Sequence, residues 1–201
     1  MASRSASTDK RMRQHLALEA ARIMVEEGVA DYSAAKRKAA GRLGAADTRN
    51  LPGNDEIEQA LVEYLRLFKS QSQSVKIKEL RQTAVQAMRF LERFNPRLVG
   101  AVLNGTAAEH SAITLHVFAD GAEEVGLFLM HKHIPCELTE KRLTLADGNP
   151  ANYPLYRFLA ANTPIEIIVF PMDGIRQAPR SPVDGRPMRR ASIGVVEELI
   201  G

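Results

Sequence analysis

The sequence predicts an α+β fold in which a helical module precedes a mixed domain. Three observations carry that prediction. Apolar residues recur at helical spacing from Met12 as far as Leu91. The period then changes to strict alternation at Ile113, Leu115 and Val117. Ile165 to Phe170 is a short run dominated by β-branched and aromatic residues, bounded by a turn before it and Pro171 after it.

Composition narrows the class without naming an activity. The chain has 201 residues, 45% of them hydrophobic, and a net charge of +3. That is too apolar and too balanced for a disordered chain. The single cysteine, Cys136, excludes a disulfide framework. No uncharged apolar run approaches the roughly 20 residues a membrane helix requires. Met1 to Lys10 has no apolar centre behind its basic residues, so no signal peptide and a reducing cytoplasm are expected. The length suits a domain of ordinary size preceded by a smaller module.

The elements follow in order. Met1 to Ser7 is expected to fray, and Thr8 or Asp9 to cap a helix reaching Glu27, with Leu16, Ala20 and Ile23 on one face. Gly28 closes it. A second, Ala-rich helix runs from Ser33 to Leu43 and carries Lys36, Arg37 and Lys38. After the turn Leu51-Pro52-Gly53, Asn54 caps a third helix with Ile57, Leu61, Tyr64, Leu65 and Phe68 in one stripe. Asp55, Glu56 and Glu58 stand in its first turn, where the helix dipole favours acids. Ser70 to Ser74, written SQSQS, is expected as the linker, giving a module over 1–70 and an α+β domain over 71–201.

In the second part, Ile77, Leu80, Ala84, Met88 and Leu91 mark a long helix that ends before Asn95-Pro96. Leu98 to Leu103 is a short apolar run. Ile113 to Val117 is a half-buried strand and Glu123 to His133 a helix, with Asp120 as its expected cap. Cys136 to Leu145, Leu155 to Ala160 and Ile165 to Phe170 are strands, with a turn at Ala161 to Pro164. Pro171 to Pro187 is an arm rich in Pro, Gly and Arg, and Ala191 to Ile200 closes as a helix.

Leu98 to Asp120 reads LVGAVLNGTAAEHSAITLHVFAD. An apolar run, Gly105-Thr106, a polar turn and the strand Ser111-Ala112-Ile113-Thr114-Leu115 follow one another. This order resembles the nucleotidyltransferase superfold, the group that includes DNA polymerase beta and the small antibiotic nucleotidyltransferases. Those proteins carry an apolar strand or helix, then Gly-Ser, a polar stretch, and a strand written Ser-Asp-Ile-Asp-Leu. The resemblance spans about Ile77 to Pro171, and its specific part is Asn104 to Leu115. It implies a mixed sheet flanked by helices. It implies that Gly105, Thr106 and Ser111 hold phosphate, with help from Arg176, and that Glu166 supplies the third carboxylate of a two-metal site.

Two carboxylates at i and i+2 on a strand share a face and can bridge two Mg²⁺ ions that align a phosphoryl transfer. Here those positions are Ala112 and Thr114, and neither can replace a carboxylate as a Mg²⁺ ligand. Only five residues, 107–111, separate Thr106 from Ala112. The expectation is therefore a nucleotidyltransferase-like protein that binds a nucleotide or phosphorylated ligand, with the transfer site lost and no metal. One alternative is an active, Mg-dependent transferase with an unusual site on Glu166, in which Glu109 and His110 could assist. Another is a regulator associated with a protein or nucleic acid, using the sheet as scaffold.

Other signals have blander readings. His131 and His133 diverge at i, i+2 on a helix and complement its C-terminal dipole, so they are not expected to chelate. Cys136 is expected to be a structural thiol. Arg176, Arg180, Arg186, Arg189 and Arg190 oppose one acid, Asp184, on a stiff arm that could meet phosphate, a carboxylate or a second subunit. Arg176 is the expected inward-facing member. The N-terminal helices could serve a protein partner or homo-oligomer, while the acids opening the third helix argue against nucleic acid.

Overall fold

A computed structural model describes residues 2–45, 50–68, 70–108 and 111–201. The fold is α+β, with helices and a five-stranded mixed sheet. It divides into two compact units, Met1–Ser74 with Pro182–Asp184, and Val75–Ser181 with Gly185–Gly201. No described helix is long and apolar enough to cross a membrane.

The first unit holds α1 (Ala2–Glu26), α2 (Tyr32–Arg42) and α3 (Asn54–Phe68). Helix α1 starts well ahead of the expected cap at Thr8 or Asp9, because no Gly or Pro interrupts the preceding residues. Asp31 caps α2 by accepting from the Ala34 N–H at 2.7 Å. At α3 the Glu56 carboxylate accepts from the Gly53 N–H at 2.6 Å and pairs with Arg13 at 2.7 Å. Leu16, Ala20 and Ile23 meet Ala35 and Ala39 and then Ile57, Leu61 and Leu65. Phe68, expected in the apolar stripe of α3, is 68% exposed instead.

The second unit is built on α4 (Ser70–Phe90), whose first residues fall in the other unit. The expected linker at Ser70 to Ser74 is therefore helix. Ser and Gln resemble a linker in composition, but neither breaks a helix, and the periodic residues after Val75 propagate it. Then come β1 (Arg97–Val99), α5 (Gly100–Asn104), β2 (Ile113–Phe118), α6 (Ala122–His131), β3 (Glu137–Thr144), β4 (Pro150–Ala160), β5 (Thr163–Phe170) and α7 (Ile193–Glu198). The sheet order is β1-β2-β5-β4-β3; β2 and β5 are parallel and the other neighbours antiparallel.

Alternation along the strands creates two unlike faces. Ile113, Leu115 and Val117 of β2 align with Ile165, Ile167 and Val169 of β5, all at most 4% exposed. They form one core with Leu80 and Met88 of α4, Leu103 of α5, Leu129 of α6 and Val196 of α7. Each buried aliphatic side chain contributes about 1.5–3 kcal/mol. The opposite face carries Phe118, Leu155, Ile168 and Phe170, with Tyr153 and Ile175 against them.

The apolar run Leu98 to Leu103 is not one element. It breaks at Gly100, whose φ of +72° turns strand β1 into α5. The cap of α6 is Gly121 rather than Asp120, with the Glu124 carboxylate accepting the Gly121 N–H at 3.3 Å. The β4–β5 hairpin turns at Ala161 and Asn162, whose φ values are +47° and +64°. Two left-handed residues match the twist of the strands, but the position suits Gly or Asn and strains Ala. Replacing Ala161→Gly should therefore stabilise the protein by about 1 kcal/mol in urea denaturation; an unchanged or lower midpoint would contradict the turn geometry.

Candidate functional site

Two positions singled out by sequence, Thr114 and Glu166, meet on the second sheet face, at the end nearer the start of β2. Thr114 of β2 lies directly opposite Glu166 of β5, and Ala112 immediately precedes the strand. Of the two facing side chains only Glu166 is an acid.

Glu166 is engaged. Arg157, its cross-strand neighbour on β4, donates to the Glu166 Oε1 from Nη2 at 2.8 Å and from Nε at 3.2 Å. Glu137 stands 3.8 Å from the same guanidinium. The Glu166 carboxylate raises the Arg157 guanidinium further above its ordinary range, by hydrogen bond first and charge second. Glu166 is 17% exposed and Arg157 45%, so the pair is worth about 0.5–1 kcal/mol, toward the surface end of such interactions. Chemically, Arg157 neutralises the Glu166 carboxylate.

Gly105 and Thr106 close α5, and Ser111 stands shortly before β2. Gly105, with φ +81°, is the C-cap of α5, and its N–H returns to the Ala101 carbonyl. The Thr106 N–H also reaches the Ala101 carbonyl, at 2.9 Å, and Thr106 is buried. This is the left-handed close of a helix. Arg81 of α4 then covers the exposed helix end, donating to the carbonyls of Leu103 at 3.1 Å and Val102 at 3.3 Å. Ser111 folds inward: its hydroxyl accepts from the Ala108 N–H at 2.8 Å, and its own N–H donates to the Ala108 carbonyl. Glu109 and His110 lie outside the described residues.

Arg176 is exposed at the end of a short 3₁₀ turn over Met172–Ile175. The inward arginine is Arg190. Its Nε donates to the Nδ1 of His116 at 3.0 Å and its Nη1 to the Gly174 carbonyl at 2.7 Å. The guanidinium sits 4.8 Å from the Phe170 ring centroid and 5.1 Å from that of Phe118. His116 is fully buried on the face of Thr114, two residues along β2. Burial first, and the Arg190 charge second, push its imidazole down to about 3. Spacing along a Pro- and Arg-rich arm carries no signal for which arginine turns inward. Arg157 was findable, since counting back from the two-residue turn places it opposite Glu166.

The remaining candidates do not add a metal centre. Among the described residues no three His, Cys, Asp or Glu side chains are grouped to hold a metal. Cys136 is exposed. A groove of about 440 Å³ runs along α3 past Asp55, Glu58, Val62, Glu63 and Arg66 in the first unit, and shares no residue with the Glu166 site. No protein-family model, curated protein or solved structure matches the chain.

The buried His116 makes stability pH-dependent with a definite sign. Its folded value lies below the ordinary 6.5, so the unfolded chain takes up the proton first. The contribution is complete above about pH 6.5 and is lost as pH falls toward about 3. A His116→Gln variant should show a shallower loss of stability over that window in denaturation at stepped pH. An identical slope would place the titration elsewhere.

Proposed function

We propose that this chain is a nucleotidyltransferase-like protein that binds a nucleotide or another phosphorylated ligand and does not transfer it. The observation that carries the reading is the Thr114–Glu166 juxtaposition with Arg157 already on the carboxylate. The resemblance supplies the expected positions, and at those positions the side chains are Ala112, Thr114 and a neutralised Glu166. Mg²⁺ requires several oxygen ligands, with charge supplied by carboxylates. Ala112 and Thr114 do not fit that requirement, and no transfer step runs through a metal here.

The local geometry also supports a different alignment with the family pattern. The glycine that ends an apolar strand is Gly100, not Gly105. Taking Gly100-Ala101 as the Gly-Ser position lengthens the interval before Ala112 and removes the short turn that Gly105-Thr106 required. Gly105-Thr106 then becomes part of the polar stretch.

A second reading, the sheet as scaffold for a protein interaction, is favoured by one observation. The N–H groups of Gly105, Thr106, Ala108 and Ser111 are all committed to internal acceptors. Thermal denaturation with ATP, GTP, CTP and UTP, each with and without Mg²⁺, separates the two. The binding reading predicts stabilisation by at least one nucleotide that does not require Mg²⁺, about 2.7 kcal/mol at a hundred times Kd. No shift with any nucleotide would leave the scaffold reading. A shift that appears only with Mg²⁺ would contradict the loss of the metal site.

A further inference from the structure

The strongest unexplained chemistry lies around His116. Because its Nδ1 accepts from Arg190, the proton of the neutral imidazole sits on Nε2. That Nε2–H is buried and meets no acceptor among the described residues, and the buried Nη2 of Arg190 is in the same condition. Both orphaned groups are donors. A buried donor without an acceptor costs about 1–3 kcal/mol, more when charged, so both call for an explanation.

The charge balance points the same way. Arg97 of β1 is the register partner of His116 and so shares its sheet face. Ala191 pairs with Leu98 through two backbone bonds, which brings Arg190 beside β1 as well. Arg97 donates only to the carbonyls of Asn95 and Pro96. Arg190 binds one imidazole nitrogen, the carbonyls of Gly174 and Ile175, and two aromatic faces. Neither has an acidic partner among the described residues. Burial first, and the charge of Arg97 second, lower the Arg190 guanidinium to about 10. Two neighbouring guanidiniums, with no carboxylate partner among the described residues, complement an anion with several acceptor oxygens.

We propose that Arg97, His116 and Arg190 form a receptor for a phosphoryl group on the sheet face beside Thr114. This deepens the reading of a phosphorylated ligand and rests on it for the kind of anion. Arg190 would offer Nη2 and Arg97 the rest of its fork, with His116 positioning Arg190 through Nδ1. The two orphaned donors are covered, so entry displaces part of the arm that Arg190 ties down at Gly174 and Ile175. The aromatic rings of Phe118 and Phe170 hold the guanidinium plane while its edge exchanges partners.

The test uses the full chain, inorganic phosphate as probe, and sodium acetate and chloride at matched ionic strength as controls, with 5′-AMP as the esterified phosphate. Readouts are thermal stability and the imidazole nitrogen resonances of His116. Arg190 is a packing residue and its variants risk unfolding, so the variant is Arg97→Met on the more accessible group. Phosphate should stabilise the wild type saturably beyond the controls and shift the His116 resonances. Arg97→Met should weaken the apparent affinity about tenfold or more. Absence of a saturable phosphate effect, unmoved His116 resonances, or an unchanged affinity in Arg97→Met would each overturn the site. Binding of nucleotides with no dependence on Arg97 overturns this receptor and leaves the ligand reading standing. Saturable phosphate binding through Arg97 without any binding of 5′-AMP or nucleoside triphosphates sustains the receptor and overturns the nucleotide form of that reading.

Discussion

The parallel pairing of β2 with β5 is the constraint on which the second unit depends. Its register places Ile113, Leu115 and Val117 beside Ile165, Ile167 and Val169 and so fixes the main core. The same register fixes what appears on the other face. A one-residue slip would move every core side chain to the wrong side, so burial holds the alignment. Thr114 is therefore held opposite Glu166, and His116 beside Ile168, by packing energy spent on their neighbours. The chemistry of the second face is positioned by the hydrophobicity of the first.

That face has two regions of unlike balance. At the Thr114 end, one base stands between two acids: Arg157 is bonded to Glu166 and 3.8 Å from Glu137. Two residues along, Arg97 and Arg190 lie beside His116 with no acidic partner among the described residues. A metal needs negative ligands, and the carboxylate opposite Thr114 is already held by an arginine. An anion needs donors, and the unmatched region has them in excess. The electrostatics thus favour recognition of a negative group over metal-assisted transfer, whatever the ancestry of the fold.

Much of the architecture was legible because it rests on local pattern. Alternation located β2, a β-branched run located β5, and helical spacing located the core of α4. The errors have physical causes. Ser70 to Ser74 has linker composition, yet a helix nucleated by the apolar residues after it extends through such residues at little cost. Leu98 to Leu103 is uniformly apolar, so its period hides the change from strand to helix at Gly100. The site was half legible. Thr114 and Glu166 follow from strand period, and Arg157 from the hairpin. Arg190 does not follow, because its burial depends on a long-range bridge between Ala191 and Leu98 that no local signal announces.

In the proposed reading, the side chains at Ala112, Thr114 and Glu166, and not the fold, decide against a metal. Its most direct test is a Mg²⁺ titration of the wild type and of the double variant Ala112→Asp, Thr114→Asp, followed by calorimetry. The wild type should show no saturable Mg²⁺ binding. The double variant, with two new carboxylates on the face of Glu166, should acquire it, and lose it again with Glu166→Gln. Saturable Mg²⁺ binding by the wild type that is abolished by Glu166→Gln would contradict the account.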